Sequence, residues 1–186
     1  MKKFPIIFFL VLFLCSALAS CLTGGSDTWD DYEAWRKTNE QWLLEQSNLQ
    51  DENGNNFYKK VVPAWNKNAY VYIHYYNDTM LTRDNLSPLY TSTVDVKYIG
   101  RFYEGTAFDS SYINTTPADS IFRTRLTDVI QGWAIALTDM HVGDSCQVLI
   151  PWQYAYGENS TGSIYPYSVL QFDIKLVDIP GYEIKP

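Results

Sequence analysis

The sequence predicts an α+β fold: a curved antiparallel sheet wrapped around one short central helix, with an N-terminal helical extension. Three patterns predict it. Stretches over residues 69–76, 93–99, 145–150 and 168–178 alternate apolar and polar side chains, the period of strands with one buried face. Between two of them Trp133, Ala136, Leu137 and Met140 fall at i, i+3, i+4 and i+7, an apolar stripe about two helical turns long. A second helical pattern, over residues 29–49, stands ahead of every strand. Several strands with so few helices sort into an α+β arrangement, not the regular alternation of a parallel α/β sheet.

Taken in order, the chain opens on Lys2-Lys3 and the apolar run Ile6–Leu14, the charged and hydrophobic parts of a leader. That run is too short to be a good membrane span. Leu18-Ala19-Ser20-Cys21 resembles the lipobox of bacterial lipoproteins. The resemblance implies a signal peptide over residues 1–20, cleavage before Cys21 and lipidation of Cys21. Acyl chains contribute about 0.8 kcal/mol per buried CH₂, so such a chain would be membrane-tethered without a spanning helix. Its expected place is the bacterial cell envelope, periplasmic or surface-facing.

Residues 21–28 read as a flexible tether and residues 29–68 as the helical extension. In the latter Trp29, Tyr32, Trp35, Trp42, Leu43 and Leu49 share about half of the helical circumference. Asp51-Glu52-Asn53-Gly54 ends the pattern. The expected use of that face is packing on the chain's own following domain; a homodimer through residues 29–49 is the alternative. Residues 69–186 form the main domain, with its core over 92–179. Its first strand, Ala69–Tyr76, should be an added edge strand, and its tyrosines give a carbohydrate-binding face as a second reading. Thr93–Ile99 follows, with Val94, Val96 and Tyr98 on one face. A turn at Glu104-Gly105, a polar loop over 112–120 and a short strand at Ile121–Arg125 come next. Thr127 or Asp128 is placed to cap the central helix and Gly143 to end its last turn. Cys146, Val148 and Ile150 then alternate along a strand that Pro151 stops. A tyrosine-rich loop and a polar flap over 158–163 lead to the last strand, with Leu170, Phe172, Ile174 and Leu176 facing in.

Composition excludes several classes of function. A net charge of −7 without a Lys/Arg cluster argues against nucleic acid as a partner. His74 and His141 lie far apart with no second ligand at metal spacing, so neither metal nor cofactor is expected. Cys15 falls in the leader and Cys21 in the lipobox. Cys146 is left without a disulfide partner, as a buried small hydrophobe.

Three separated blocks carry a further resemblance. Val96-x-Tyr98-x-Gly100 with Gly105-x-x-Phe108-Asp109-Ser110-Ser111 comes first. Val129-Ile130-x-Gly132-Trp133 through Ala155-Tyr156-Gly157 is second, and Ile164-x-Pro166 with Leu170-x-Phe172-Asp173-Ile174 third. Together they resemble the FKBP-type peptidyl-prolyl cis-trans isomerases, over roughly residues 92–179. The resemblance implies an FKBP-like fold and rotation of X-Pro bonds in proline-containing segments of exported or envelope proteins. A non-catalytic chaperone or peptide-binding lipoprotein is the alternative, and a surface glycan-binding lipoprotein a more distant one.

By resemblance, Trp133 is the floor of a proline pocket, with Tyr98, Phe108, Phe122, Val129, Ile164 and Phe172 around it. The Ile130 N–H and the Tyr156 hydroxyl would bind substrate carbonyls, and Asp109 would join the polar network at the edge. Two departures stand out. Ser120 occupies a place where many members carry an aromatic residue, with Phe122 at the next one. The 112–120 loop is also longer than in the shortest members, which leaves one wall more open.

Overall fold

The computed structural model describes residues 28–114 and 119–181. The expected signal peptide, Cys21 and all of the expected tether but Thr28 lie outside the described residues. Seven strands, β1 (Lys59–Val61), β2 (Val71–Tyr75), β3 (Thr93–Phe102), β4 (Ala107–Ser110), β5 (Phe122–Arg125), β6 (Ser145–Ile150) and β7 (Leu170–Asp178), form one sheet. Its order is β1-β2-β6-β7-β3-β4, with β5 also on β3. Every pairing is antiparallel. Strand β3 organises the sheet. One of its edges pairs with β7 from Asp95 to Phe102; the other is shared end to end by β5, opposite Thr93–Val96, and β4, opposite Ile99–Arg101.

The central helix, α4 (Gln131–Asp139), lies on the inner face of this sheet; α1 (Thr28–Asp31), α2 (Glu33–Ser47) and α3 (Ser111–Asn114) precede it in the chain. Val71 and Ile73, Val94 and Val96, Cys146, Val148 and Ile150, and Leu170, Ile174 and Leu176 all point inward, as their alternation predicts. Each fully buried aliphatic contributes about 1.5–3 kcal/mol. The helix is buried on more than its predicted stripe, since Gly132 through Leu137 are all buried. The cause is a second cover: Leu86 packs on the same core, and the Leu86 carbonyl accepts from the Val142 N–H at 2.8 Å. Asp144, fully buried, secures that segment by accepting from Thr82 Oγ1, Asn77 Nδ2 and the His141 N–H. Gly132 is required where helix meets sheet, because a Cβ there would sit 2.3 Å from Ile150 Cγ2.

Three expectations change. Neither Thr127 nor Asp128 caps α4. Leu126–Asp128 forms a 3₁₀ turn, and Ile130 stands at the N-cap with its carbonyl accepting from the Trp133 N–H at 3.0 Å. Strand β2 is not at the edge, because β1 pairs outside it. That three-residue edge strand exposes Lys59 and Lys60, which discourages pairing with another chain. Tyrosines in and beside β2 also make contacts within the chain. Tyr70 and Tyr72 meet edge to face, and the Tyr76 hydroxyl donates to Asp173.

The third change concerns the extension. Its 29–49 pattern is not one helix: Tyr32 departs from helical geometry and α2 runs only from Glu33 to Ser47. Helix α2 packs on the outer face of the chain's own sheet, where Leu43 joins Tyr58, Leu149 and Val169 in a second small core. Polar residues make much of that contact. The buried Asn39 accepts the Val169 N–H on Oδ1 at 2.9 Å and donates Nδ2 to the Trp35 carbonyl. Trp35 Nε1 donates to Ser168 Oγ, Trp152 Nε1 to Glu40, and the Arg36 guanidinium lies 6.0 Å from the Tyr167 ring centroid.

Candidate functional site

At the end of α4 where the turn of Leu126–Asp128 enters, the sheet and helix leave a concave pocket of about 250 Å³. Each wall follows from the local fold. Strand alternation turns Tyr98 of β3, Phe122 of β5 and Phe172 of β7 to the inner face. Strand β4 carries Phe108 and Asp109 to the rim, and the extended link Asp128-Val129-Ile130 passes along one side. Trp133, in the first turn of α4, closes the bottom, and Tyr156 arrives from the loop after β6.

The rings hold one another edge to face. Tyr98 and Trp133 lie 4.9 Å apart at 81°, Trp133 and Phe172 5.3 Å at 88°, and Phe108 and Phe172 5.6 Å at 88°. Phe122 meets Tyr98 at 5.5 Å. Such pairs add about 0.5–1.5 kcal/mol each beyond burial and fix ring orientation. Gly100 makes the arrangement possible, since a Cβ there would meet Phe108 Cζ at 2.7 Å and Phe172 Cε1 at 2.8 Å. Trp133 is only 4% exposed, and its Nε1–H is buried without a hydrogen-bond partner.

One carboxylate sets the polar side. Asp109 Oδ2 accepts from the Tyr98 hydroxyl at 2.6 Å, and its Oδ1 accepts from the Ser110 N–H at 2.8 Å. Burial first, then the hydrogen bond to Asp109 and its charge, push the Tyr98 phenol above its ordinary value. Burial and the Asp109 charge push Tyr156 the same way. Both phenols therefore stay protonated as hydrogen-bond donors at neutral pH. No nucleophile and base meet in this hollow. Among the described residues no cluster of three His, Cys, Asp or Glu side chains could hold a metal ion.

Of the residues singled out from sequence, Tyr98, Phe108, Asp109, Phe122, Val129, Ile130, Trp133, Tyr156 and Phe172 are brought together here. Ile164 is not. It is buried in the core beside the pocket, because paired backbone bonds between Thr161 and Ile164 close a tight turn that tucks it inward. Ser120 takes a left-handed backbone, φ 66°, and Phe122 supplies the ring on that side. Two residues were missed. Asp128, read as a helix cap, lines the pocket instead; Gly100 was visible in a motif, but its steric role depends on rings distant in sequence.

Comparison with known proteins is in keeping with this geometry. Residues 87–177 match the family of FKBP-type peptidyl-prolyl cis-trans isomerases. The FKBP-type 22 kDa peptidyl-prolyl cis-trans isomerase of Escherichia coli is 42% identical over 93 residues, which are 50% of this chain and 43% of that protein. The chain thus spans less than half the length of that relative. The solved structure of a peptidyl-prolyl cis-trans isomerase from Pseudomonas syringae pv. tomato is similar with a TM-score of 0.62 and 24% identity, over 80% of this chain and 95% of that one. FkpA from Escherichia coli is similar with a TM-score of 0.65 and 21% identity, over 96% of this chain and 73% of that one. These two likenesses bear on the fold alone.

Proposed function

We propose that this chain, whose residues 87–177 form an FKBP-type peptidyl-prolyl cis-trans isomerase domain, rotates X-Pro bonds in client proteins without a covalent step. The barrier to that rotation is about 18–20 kcal/mol, because the planar amide is resonance-stabilised. Planar amide is charge-separated and well hydrated; the twisted form has lost the resonance and is less polar. A dry aromatic hollow therefore binds the twisted form better relative to the planar one, and differential binding lowers the barrier. The proline ring would rest on Trp133 between Tyr98, Phe108 and Phe172. The Ile130 N–H and the Tyr156 hydroxyl would hold flanking carbonyls, and Asp109 would orient Tyr98.

The observation that carries this reading is the joint placement of nine sequence-identified residues around one 250 Å³ pocket with Trp133 at its base. Exchange NMR on a short X-Pro peptide tests it. The full chain should accelerate exchange, Asp109→Val and Tyr156→Phe should lower the rate, and a macrolide of the FK506 class should inhibit. No acceleration above the uncatalysed rate removes the reading. Suppression of client aggregation that persists in these variants would point instead to a chaperone that uses the pocket only for docking.

The clients are exported or envelope proteins, and Cys21 tethers the enzyme beside them by its lipid. This rests on the charged and apolar leader and on the Leu18–Cys21 motif. Cys21→Ser should release the protein from the membrane fraction; unchanged partitioning would refute the anchor. A homodimer through residues 29–49 would have to use the outward face of α2, since Arg36, Asn39 and Leu43 are buried. The reading favoured is therefore that this helix packs on the chain's own domain, and a dimeric mass in sedimentation would favour the alternative.

A further inference from the structure

The pocket mouth carries a charge that the isomerase reading does not use. Among the described residues, only two charged side chains line the pocket, Asp109 and Asp128, and both are acidic. Asp109 is engaged with Tyr98, whereas Asp128 is exposed and receives a hydrogen bond from the Thr127 hydroxyl at 2.8 Å. The nearest basic residues in the sheet are turned elsewhere. Because Phe122 faces the pocket, alternation places Arg123 and Arg125 of β5 on the other face. There Arg123 gives Nε and Nη2 to Asp95, each at 2.7 Å. Lys97 is likewise opposite in phase to Tyr98 on β3, and Arg101 is directed at Asp173 and the Gly105 carbonyl. The rim thus presents negative charge, next to walls of low polarity that weaken its screening.

We propose that this pocket prefers X-Pro segments carrying a lysine or arginine within two residues of the proline, with Asp128 as the residue that selects them. The proposal rests on the isomerase reading and names the substrate class of the same site. A lysine held near Asp128 across solvent should raise kcat/KM about threefold over a glutamine, chiefly through KM, and a glutamate should lower it by a similar factor. The preference is long-range and exposed, so about 1 M salt should erase most of it.

The test is exchange NMR on the full chain with three peptides that differ only in Lys, Gln or Glu beside the proline. Wild type should rank them Lys over Gln over Glu at low salt. Asp128→Asn should compress the series and Asp128→Lys should reverse it. Equal turnover of all three by wild type, or a ranking that survives Asp128→Lys, overturns the charge preference and leaves the isomerase reading standing. No acceleration of any peptide defeats both.

Discussion

Replacing Gly100 with alanine tests how the pocket is held open. The added Cβ would lie 2.7 Å from Phe108 Cζ and 2.8 Å from Phe172 Cε1. Carbon atoms pack at about 3.5–4.0 Å, so the two rings must retreat by about 0.8 Å or more. Overpacking of this kind costs about 1–3 kcal/mol. A stiffer unfolded chain offsets roughly 0.4–1 kcal/mol of that. The net loss should be about 1–2 kcal/mol, a fall of roughly 2–8 °C in Tm for a domain of this size. Catalysis should suffer more than stability, because a displacement near 1 Å at a reacting site costs on the order of a hundredfold. Urea unfolding gives the first quantity and exchange NMR, well below the transition, the second. Gly105→Ala is the control: it has φ +92° and nothing within 4 Å of its would-be Cβ, so it should lose about 1–2 kcal/mol through strain and keep its rate. Adding Phe108→Leu to Gly100→Ala should recover part of the stability. A Gly100→Ala protein with unchanged stability and rate would show that β3 does not set the ring positions.

The phenols make the fold sensitive to alkali. Tyr75, Tyr76, Tyr98 and Tyr156 all have raised folded-state values, with burial as the leading cause. Their contribution to stability is fully present below the unfolded value near pH 10 and is lost as pH rises through the raised values. Tyrosinate absorbance from them should therefore rise together with loss of near-UV circular dichroism; full tyrosine ionisation in a folded protein would contradict this. On the outer face, Asn39→Ala leaves the Val169 N–H buried without its acceptor and should cost about 1–3 kcal/mol in urea unfolding. An unchanged midpoint would mean that α2 is not docked there. Cys146 is buried with its thiol pushed up, so a thiol reagent should label it only on unfolding; fast labelling of native protein would contradict the core placement.

The pocket was legible because its residues obey two readable rules. Tyr98, Phe122 and Phe172 sit at inward positions of alternating strands, and Trp133 lies on a helical stripe. The resemblance of the three blocks to the FKBP-type isomerases then implied which inward aromatics converge. The outer face was much harder to read. Its helix buries Arg36 and Asn39, residues that a hydrophobic pattern assigns to solvent, and leaves Leu44 exposed. Their burial depends on partners more than a hundred residues away, the Tyr167 ring for Arg36 and the Val169 N–H for Asn39. Strand β1 escaped for a related reason. Lys59-Lys60-Val61 has no alternation of its own and is a strand only because β2 offers it an edge. Ile164 shows the limit of transfer by motif, since a local turn between Thr161 and Ile164 decides where that side chain goes.

The most direct measurement of the central claim compares the catalysed exchange rate of one neutral X-Pro peptide in H₂O and in D₂O, for wild type and for Trp133→Leu. Rotation eased by an apolar cavity moves no proton, so the wild-type rates should agree in the two solvents and Trp133→Leu should be slower in both. A clear slowing in D₂O, or a Trp133→Leu protein as fast as wild type, would contradict it.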